Sequence, residues 1–368
     1  LGLDTLAPTA RQALVARELE PVPTDHGFDV LTGGRGVADA EALAEHAASK
    51  ANTPTMGGIL VVGAILGASL LFADLSQFYV QMGLITLLWL AAVGGVDDWL
   101  KLTASRRGAN SRQGLHSWEK LAFQLGIGLL VGYFAFGYAD TEAARDLGHV
   151  LNLPFQKTYD NNGFEPAPGL WFLPPGLFIA GASLMIAGMS NAANITDGMD
   201  GLASGVCAAV SIGVLALALI AGSEPAAQYL LVPHVVYADE LAVLAGAMAG
   251  ACLGFLWWNC SPAAVFMGDT GSLSLGGLIG YIAVVTRQEV VVLVMSGVML
   301  AELASVAIQI GVFKITRITT GTGRRVFPIA PFHHALHLRG WREVQVVARL
   351  WIIAVLLVVL GLATIKLR

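Results

Sequence analysis

Apolar runs of about twenty residues, separated by short polar stretches, occupy most of this chain. A hydrocarbon layer about 30 Å thick needs roughly 17–25 mostly apolar residues per helix. Nine runs meet or approach that length: residues 57–73, 79–96, 121–139, 170–189, 201–222, 241–258, 271–286, 290–313 and 346–365. They are rich in Gly, Ala, Leu and Val, and small residues of this kind let helices pack closely in a membrane. The run 271–286 is short and is expected to borrow a turn from its flanks. Pro174 and Pro175 predict a bend near the start of another. The pattern therefore predicts an all-α fold, a polytopic membrane helix bundle of about nine transmembrane helices.

Residues 1–50 break the pattern. They hold twelve charged side chains, against thirty-five in the remaining 318 residues. No basic start leads into an apolar stretch, so the segment does not read as a signal peptide. It is expected to be a poorly ordered polar segment with a short helix within 33–49, and a first residue of Leu1 suits an N-terminally incomplete product. The expected organisation is this segment followed by a single transmembrane domain over 51–368.

Composition narrows the classes. The chain is 55% hydrophobic and 13% charged, about half the charge of an average soluble domain. That argues against a soluble enzyme and a disordered protein. A net charge of −5 offers no basic surface for nucleic acid. Cys207, Cys252 and Cys260 lie in or beside apolar runs and read as small buried residues, not as a disulfide framework or metal site.

Lys and Arg set the orientation. The loops 97–120 and 314–345 hold eleven of them and fall on one side, with 190–200 and 259–270. The opposite loops hold only Arg145, Lys157 and Arg287. The first set is predicted to be cytoplasmic.

Four polar groups stand out in so apolar a chain, all on that predicted face. Asp97 and Asp98 end a span, where negative charge opposes the helix dipole and calls for a cation or a function. In Asn191-Ala-Ala-Asn194-Ile-Thr-Asp197-Gly-Met-Asp200-Gly, Asn194, Asp197 and Asp200 step by three and would share a helical face, although the glycines equally suit a break. Asp269, in Phe266-Met-Gly-Asp-Thr-Gly-Ser, is either a helix N-cap or a Gly-flanked metal ligand. The fourth group, Arg324-Arg325 through His333, His334, His337, Arg339 and Trp341, suits an anion such as a diphosphate better than zinc, since it offers no Cys ligands and no HExxH. Carboxylates for a hard cation and basic groups for phosphate at one bilayer face point to metal-assisted phosphoryl transfer onto a lipidic acceptor.

These residues carry a resemblance. Thr53-Pro-Thr-Met-Gly-Gly58, Gly95-Val-Asp97-Asp98, Asn191 to Gly201, Trp258-Asn259 with Pro262-Ala263, Phe266 to Ser272, Glu302, and Pro331 to Trp341 occur in order. Together they resemble the phospho-N-acetylmuramoyl-pentapeptide-transferases, within the polyprenyl-phosphate N-acetylhexosamine-1-phosphate transferase superfamily. The resemblance implies a multi-pass enzyme of the bacterial inner (cytoplasmic) membrane, commonly a homodimer, with its active site on the cytoplasmic face. It implies transfer of phospho-MurNAc-pentapeptide from UDP-MurNAc-pentapeptide to undecaprenyl phosphate, giving lipid I and UMP, with Mg²⁺. By the same resemblance Asp269 is the Mg²⁺ ligand, and Asp97 and Asp98 are the catalytic acidic pair. Lys101 and Lys120 lie near the nucleotide diphosphate. Asn194, Asp197 and Asp200 form a substrate-binding loop, Asn259 and Phe266 contact uridine, and His333 and His334 begin a histidine loop.

Two departures stand beside it. The family has three consecutive histidines, whereas this chain reads His333-His334-Ala335-Leu336-His337. The family also has ten spans, and the first has no counterpart here. A sister enzyme that transfers GlcNAc-1-phosphate from UDP-GlcNAc is the alternative within the superfamily. A membrane transporter is the alternative of another class, opposed by acids clustered at one face and no inverted repeat.

Overall fold

The computed structural model describes residues 53–107, 114–141, 147–160 and 165–367. The N-terminal segment 1–50, with the helix expected within 33–49, lies outside these residues, as do Arg112 and Arg145. The described residues form twelve α-helices: α1 (Gly58–Phe72), α2 (Phe78–Arg107), α3 (Ser117–Thr141), α4 (Pro175–Thr196), α5 (Leu202–Gly222), α6 (Glu224–Leu230), α7 (Leu241–Asn259), α8 (Gly268–Val285), α9 (Glu289–Met295), α10 (Gly297–Thr320), α11 (Phe332–Leu338) and α12 (Glu343–Lys366). A two-stranded antiparallel pair, β1 (Val150–Leu151) with β2 (Trp171–Phe172), is the small exception among them.

Seven helices are long and apolar enough to cross a membrane, and α1 is a shorter apolar helix. With α8, all nine expected spans have a helical counterpart. Three boundaries differ. The span expected at 170–189 is α4 at Pro175–Thr196: Pro174 and Pro175 start the helix and do not bend it, and the helix takes in Asn191 and Asn194 from the expected loop. The span expected at 79–96 continues as α2 to Arg107, so Asp97 and Asp98 do not end it. At 1.5 Å per residue α2 is about 45 Å long, and its last turns overhang a hydrocarbon layer about 30 Å thick. Asp97 meets Lys101 one turn later, which suits continuation of the helix. The run expected at 290–313 is two helices, because the chain breaks at Ser296 and α10 carries on to Thr320.

Helix α8 is the axis of the bundle. Every residue from Thr270 to Val285 is buried, mainly against α4 and α2, with α1 and α5 completing the enclosure. Small residues make this possible. A side chain at Gly94 on α2 would strike the Asp269 peptide, and one at Gly276 on α8 would strike the Met189 carbonyl of α4. Outward faces carry Leu71, Phe72, Ile352 and Leu356 exposed, as a lipid-facing surface requires. Trp99, Trp118, Trp257 and Trp258 gather at one end and Trp171 lies at the other, a belt suited to membrane interfaces.

At the Trp171 end, Arg287 fastens the loops. It is 2% exposed, donates from Nε to the Val150 carbonyl at 3.2 Å, pairs with Glu289 at 2.8 Å and covers the Phe178 ring at 4.5 Å. At the other end the polar groups of the sequence converge.

Candidate active site

Asp97 and Asp98 are adjacent on α2 and buried, yet they face different partners. Asp98 turns to α8. Its Oδ1 accepts the Asp269 backbone N–H at 3.0 Å, and its Oδ2 accepts the N–H and hydroxyl of Thr270 at 2.9 and 2.7 Å. The first turn of any helix has N–H groups without intrahelical partners and a partial positive charge. No local side chain caps α8, so a carboxylate from α2 does it. Asp269 is thus in the first turn but is not the cap, which removes the cap alternative and leaves the metal-ligand one.

Asp97 faces the lysines instead. Its Oδ1 accepts the Leu115 N–H at 2.7 Å, and its Oδ2 lies 2.6 Å from Lys101 and 2.8 Å from Lys120. Both ammonium groups also reach Asp269 Oδ2, at 3.3 and 2.5 Å. Asp269 Oδ1 accepts from the Asn194 amide at 2.9 Å. Oxygens of Asp97, Asp98 and Asp269 lie within 4.8 Å of one another. Such a hard, all-oxygen set fits a divalent cation.

The polar loop does not keep a helical face. Helix α4 ends at Thr196, Asp197 follows as its C-cap, and the chain turns before α5. Only Asn194 points along the helix to Asp269; Asp200 lies beyond the turn and accepts the Ala263 N–H at 3.1 Å. Asp197 is half-buried. Burial first, then the negative charges of Asp269 and Asp98, push its acid up to about 7.

These elements surround a cavity of about 450 Å³. Asp98, Lys101, Asp197, Asp200, Asn259, Phe266 and Asp269 line it, while Lys120 and Asn194 support it through Asp269. The Asn259 carbonyl oxygen accepts from Gly201 N and Ser204 Oγ, and its amide donates to Val265 O, so it braces the wall. Phe266 is set by Thr53–Gly58: its N–H donates to the Pro54 carbonyl, and the Gly57 N–H donates to the Phe266 carbonyl. Thr55, Leu102, Gly198 and Met199 also line the cavity. Thr55 lies within Thr53–Gly58, but nothing in its local pattern marks it as a wall residue.

The histidines stand apart. His333 is fully buried behind Gly198, with His334 beside it at 4.3 Å between ring centres. His337, one turn on in α11, is in contact with the Trp341 carbonyl at 3.0 Å and closes its own turn. A larger apolar groove of about 680 Å³ runs between α1 and α7, away from the acids.

Fold and site together define a multi-pass membrane protein with an acid–lysine centre at one end of the bundle. Residues 80–287 match the model of glycosyl transferase family 4, and residues 50–62 match phospho-N-acetylmuramoyl-pentapeptide-transferase signature 1. A phospho-N-acetylmuramoyl-pentapeptide-transferase from Desulforapulum autotrophicum is 40% identical over 319 residues, covering 87% of this chain and 81% of its own. One from Psychrobacter cryohalolentis is 40% identical over 370 aligned residues, covering 98% and 95%. The chain belongs to glycosyl transferase family 4 and, within it, to the phospho-N-acetylmuramoyl-pentapeptide-transferases.

Proposed function

We propose that this protein transfers phospho-MurNAc-pentapeptide from its UDP carrier to undecaprenyl phosphate, releasing UMP and forming lipid I. The observation that carries this is 40% identity to named transferases along almost the whole chain, with the acid–lysine centre intact. An oxygen of the lipid phosphate attacks the sugar-side phosphorus of the donor. A new P–O bond forms, the bond to the bridging oxygen breaks, and UMP leaves with that oxygen.

Each residue then has a part. Lys101 on the cavity wall and Lys120 behind it, both paired with Asp269, supply two ammonium charges for the diphosphate. Asp97 orients the lipid phosphate or takes its proton, because its lysine partners are flexible side chains that can move to substrate. Asp98 cannot be freed so readily, since its partners are backbone and side-chain donors of α8; it is the positioning acid. Asp269, facing Asp97, holds Mg²⁺, which when bound neutralises charge on the diphosphate. Phe266 stacks on the uracil, while Asn259, Asn194, Asp197 and Asp200 shape the donor side, with His333 and His334 behind it. The eleven-to-three distribution of Lys and Arg supports a cytoplasmic active site in a bacterial inner membrane. Residues 51–368 act as one catalytic domain, and a homodimer is the assembly proposed from the family.

Purified protein given undecaprenyl phosphate, Mg²⁺ and either UDP-MurNAc-pentapeptide or UDP-GlcNAc tests the reading through UMP release. Turnover is expected with the pentapeptide donor alone. A preference for UDP-GlcNAc would move the protein to the sister activity, and no UMP with either donor would end the transferase reading.

A further inference from the structure

Behind the cavity lies a carboxylate–imidazole pair that the proposed transfer leaves unused. Glu302 on α10 and His333 at the start of α11 are both fully buried. Glu302 Oε2 accepts the His333 backbone N–H at 3.2 Å and lies 3.1 Å from its Nδ1. Glu302 Oε1 and both ring nitrogens of His333 have no hydrogen-bond partner, so Oε2 meets Nδ1 at ion-pair distance only. Nε2 is aimed at Gly198, where a Cβ would collide with the ring. Gly198 itself is exposed and lines the cavity between Asp197 and Met199. The imidazole therefore backs the acidic turn, one glycine away from the cavity and in contact with none of its space.

We infer that Glu302, His333 and Gly198 form a positioning chain that sets the place of the Asp197–Asp200 turn, with His333 acting from behind the turn and not by touching the donor. A carboxylate beside Nδ1 favours the tautomer with its proton there. Nε2 then meets the Gly198 backbone with a lone pair. The opposite tautomer would turn its N–H to the backbone of the turn, away from the carboxylate charge that lies 3.1 Å from Nδ1. Glycine is required at 198 because only a hydrogen fits between the ring and the cavity. Glu302 is then a positioning residue, acting on the donor side through two intermediaries.

The inference rests on the reading of this cavity as the donor site, but two of its tests need no donor. In ¹⁵N-histidine-labelled wild-type protein in nanodiscs, the signal lost in His333→Ala should show a proton on Nδ1 and none on Nε2. An Nε2–H tautomer overturns the proposal. Glu302→Gln and His333→Ala should each lower turnover about tenfold or more, the size typical when the partner orienting an imidazole is lost. The double variant should lose no more than the worse single one, and additive losses overturn the chain. Gly198→Ala should lower both melting temperature and turnover, because its methyl meets the ring. Adding His333→Ala should restore part of both, since the ring is gone. A deeper loss in that double variant overturns the inference and makes His333 a direct donor contact. The melting arm holds even if Glu302→Gln does not fold.

Discussion

Three donors converge on Asp98, and all belong to the first turn of α8. Asp98→Asn keeps the shape but turns an amide N–H toward one of them. It should cost about 1–2 kcal/mol, the scale of a lost helix cap, read as a lower melting temperature together with lower turnover. Asp97→Asn should cut turnover with little change in melting, because its lysines retain Asp269. Equal melting losses in the two would remove the distinction drawn between them. Asp269→Asn should abolish turnover with the fold intact, and near-normal Mg²⁺-dependent activity would count against its role as the metal ligand. The residue types of this centre were legible from the sequence, since uncompensated carboxylates in an apolar chain are conspicuous. Their division of labour was not: the cap on α8 comes from a residue 171 positions away, and no local pattern records that.

At the scale of elements, α10 is the fastener of the histidine loop. Glu302 takes the backbone of His333. Two turns on, the buried Gln309 accepts from Val326 and Phe327 at 3.1 and 3.0 Å and donates to the Phe327 carbonyl at 3.1 Å. Gln309→Ala leaves these backbone groups unpaired, at about 1–3 kcal/mol each where they stay buried. Trypsin should then cut faster after Arg324 or Arg325, and an unchanged digestion rate would show the loop is held by other contacts. Helix α11 settles the departure at His337, which closes its own turn against Trp341. His337→Ala should lower melting slightly and leave the KM for the donor unchanged; a raised KM would place His337 at the donor after all. Hydropathy located all nine spans because burial in lipid demands apolar length. It missed the end of α2, where the chain leaves the hydrocarbon but the helix continues, the bounds of α4, which begins at Pro175 and runs through Asn191 and Asn194, and the break at Ser296, where apolar residues flank both sides.

For the whole molecule, the Lys and Arg asymmetry makes a sided prediction. Trypsin should reach Arg324 and Arg325 in inside-out vesicles and not in right-side-out ones. Cleavage from the outer side alone would invert the topology. Arg287, the buried fastener at the far end, should stay intact from either side in folded protein.

The enclosure of α8 also bears on how the protein is made. It carries Asp269, Thr270, Ser272, Ser274, Tyr281 and five glycines, and it is not among the seven helices apolar enough to cross a membrane by composition. Released from the translocon alone, it would expose those groups to lipid, and its Leu, Ile and Val side chains, most of them in the second half, would offset them only in part. Its two main neighbours, α2 and α4, precede it in the chain. They would already stand in the bilayer when α8 emerges from the ribosome, so the helix that organises the acids enters last among the three, into a slot its predecessors have prepared.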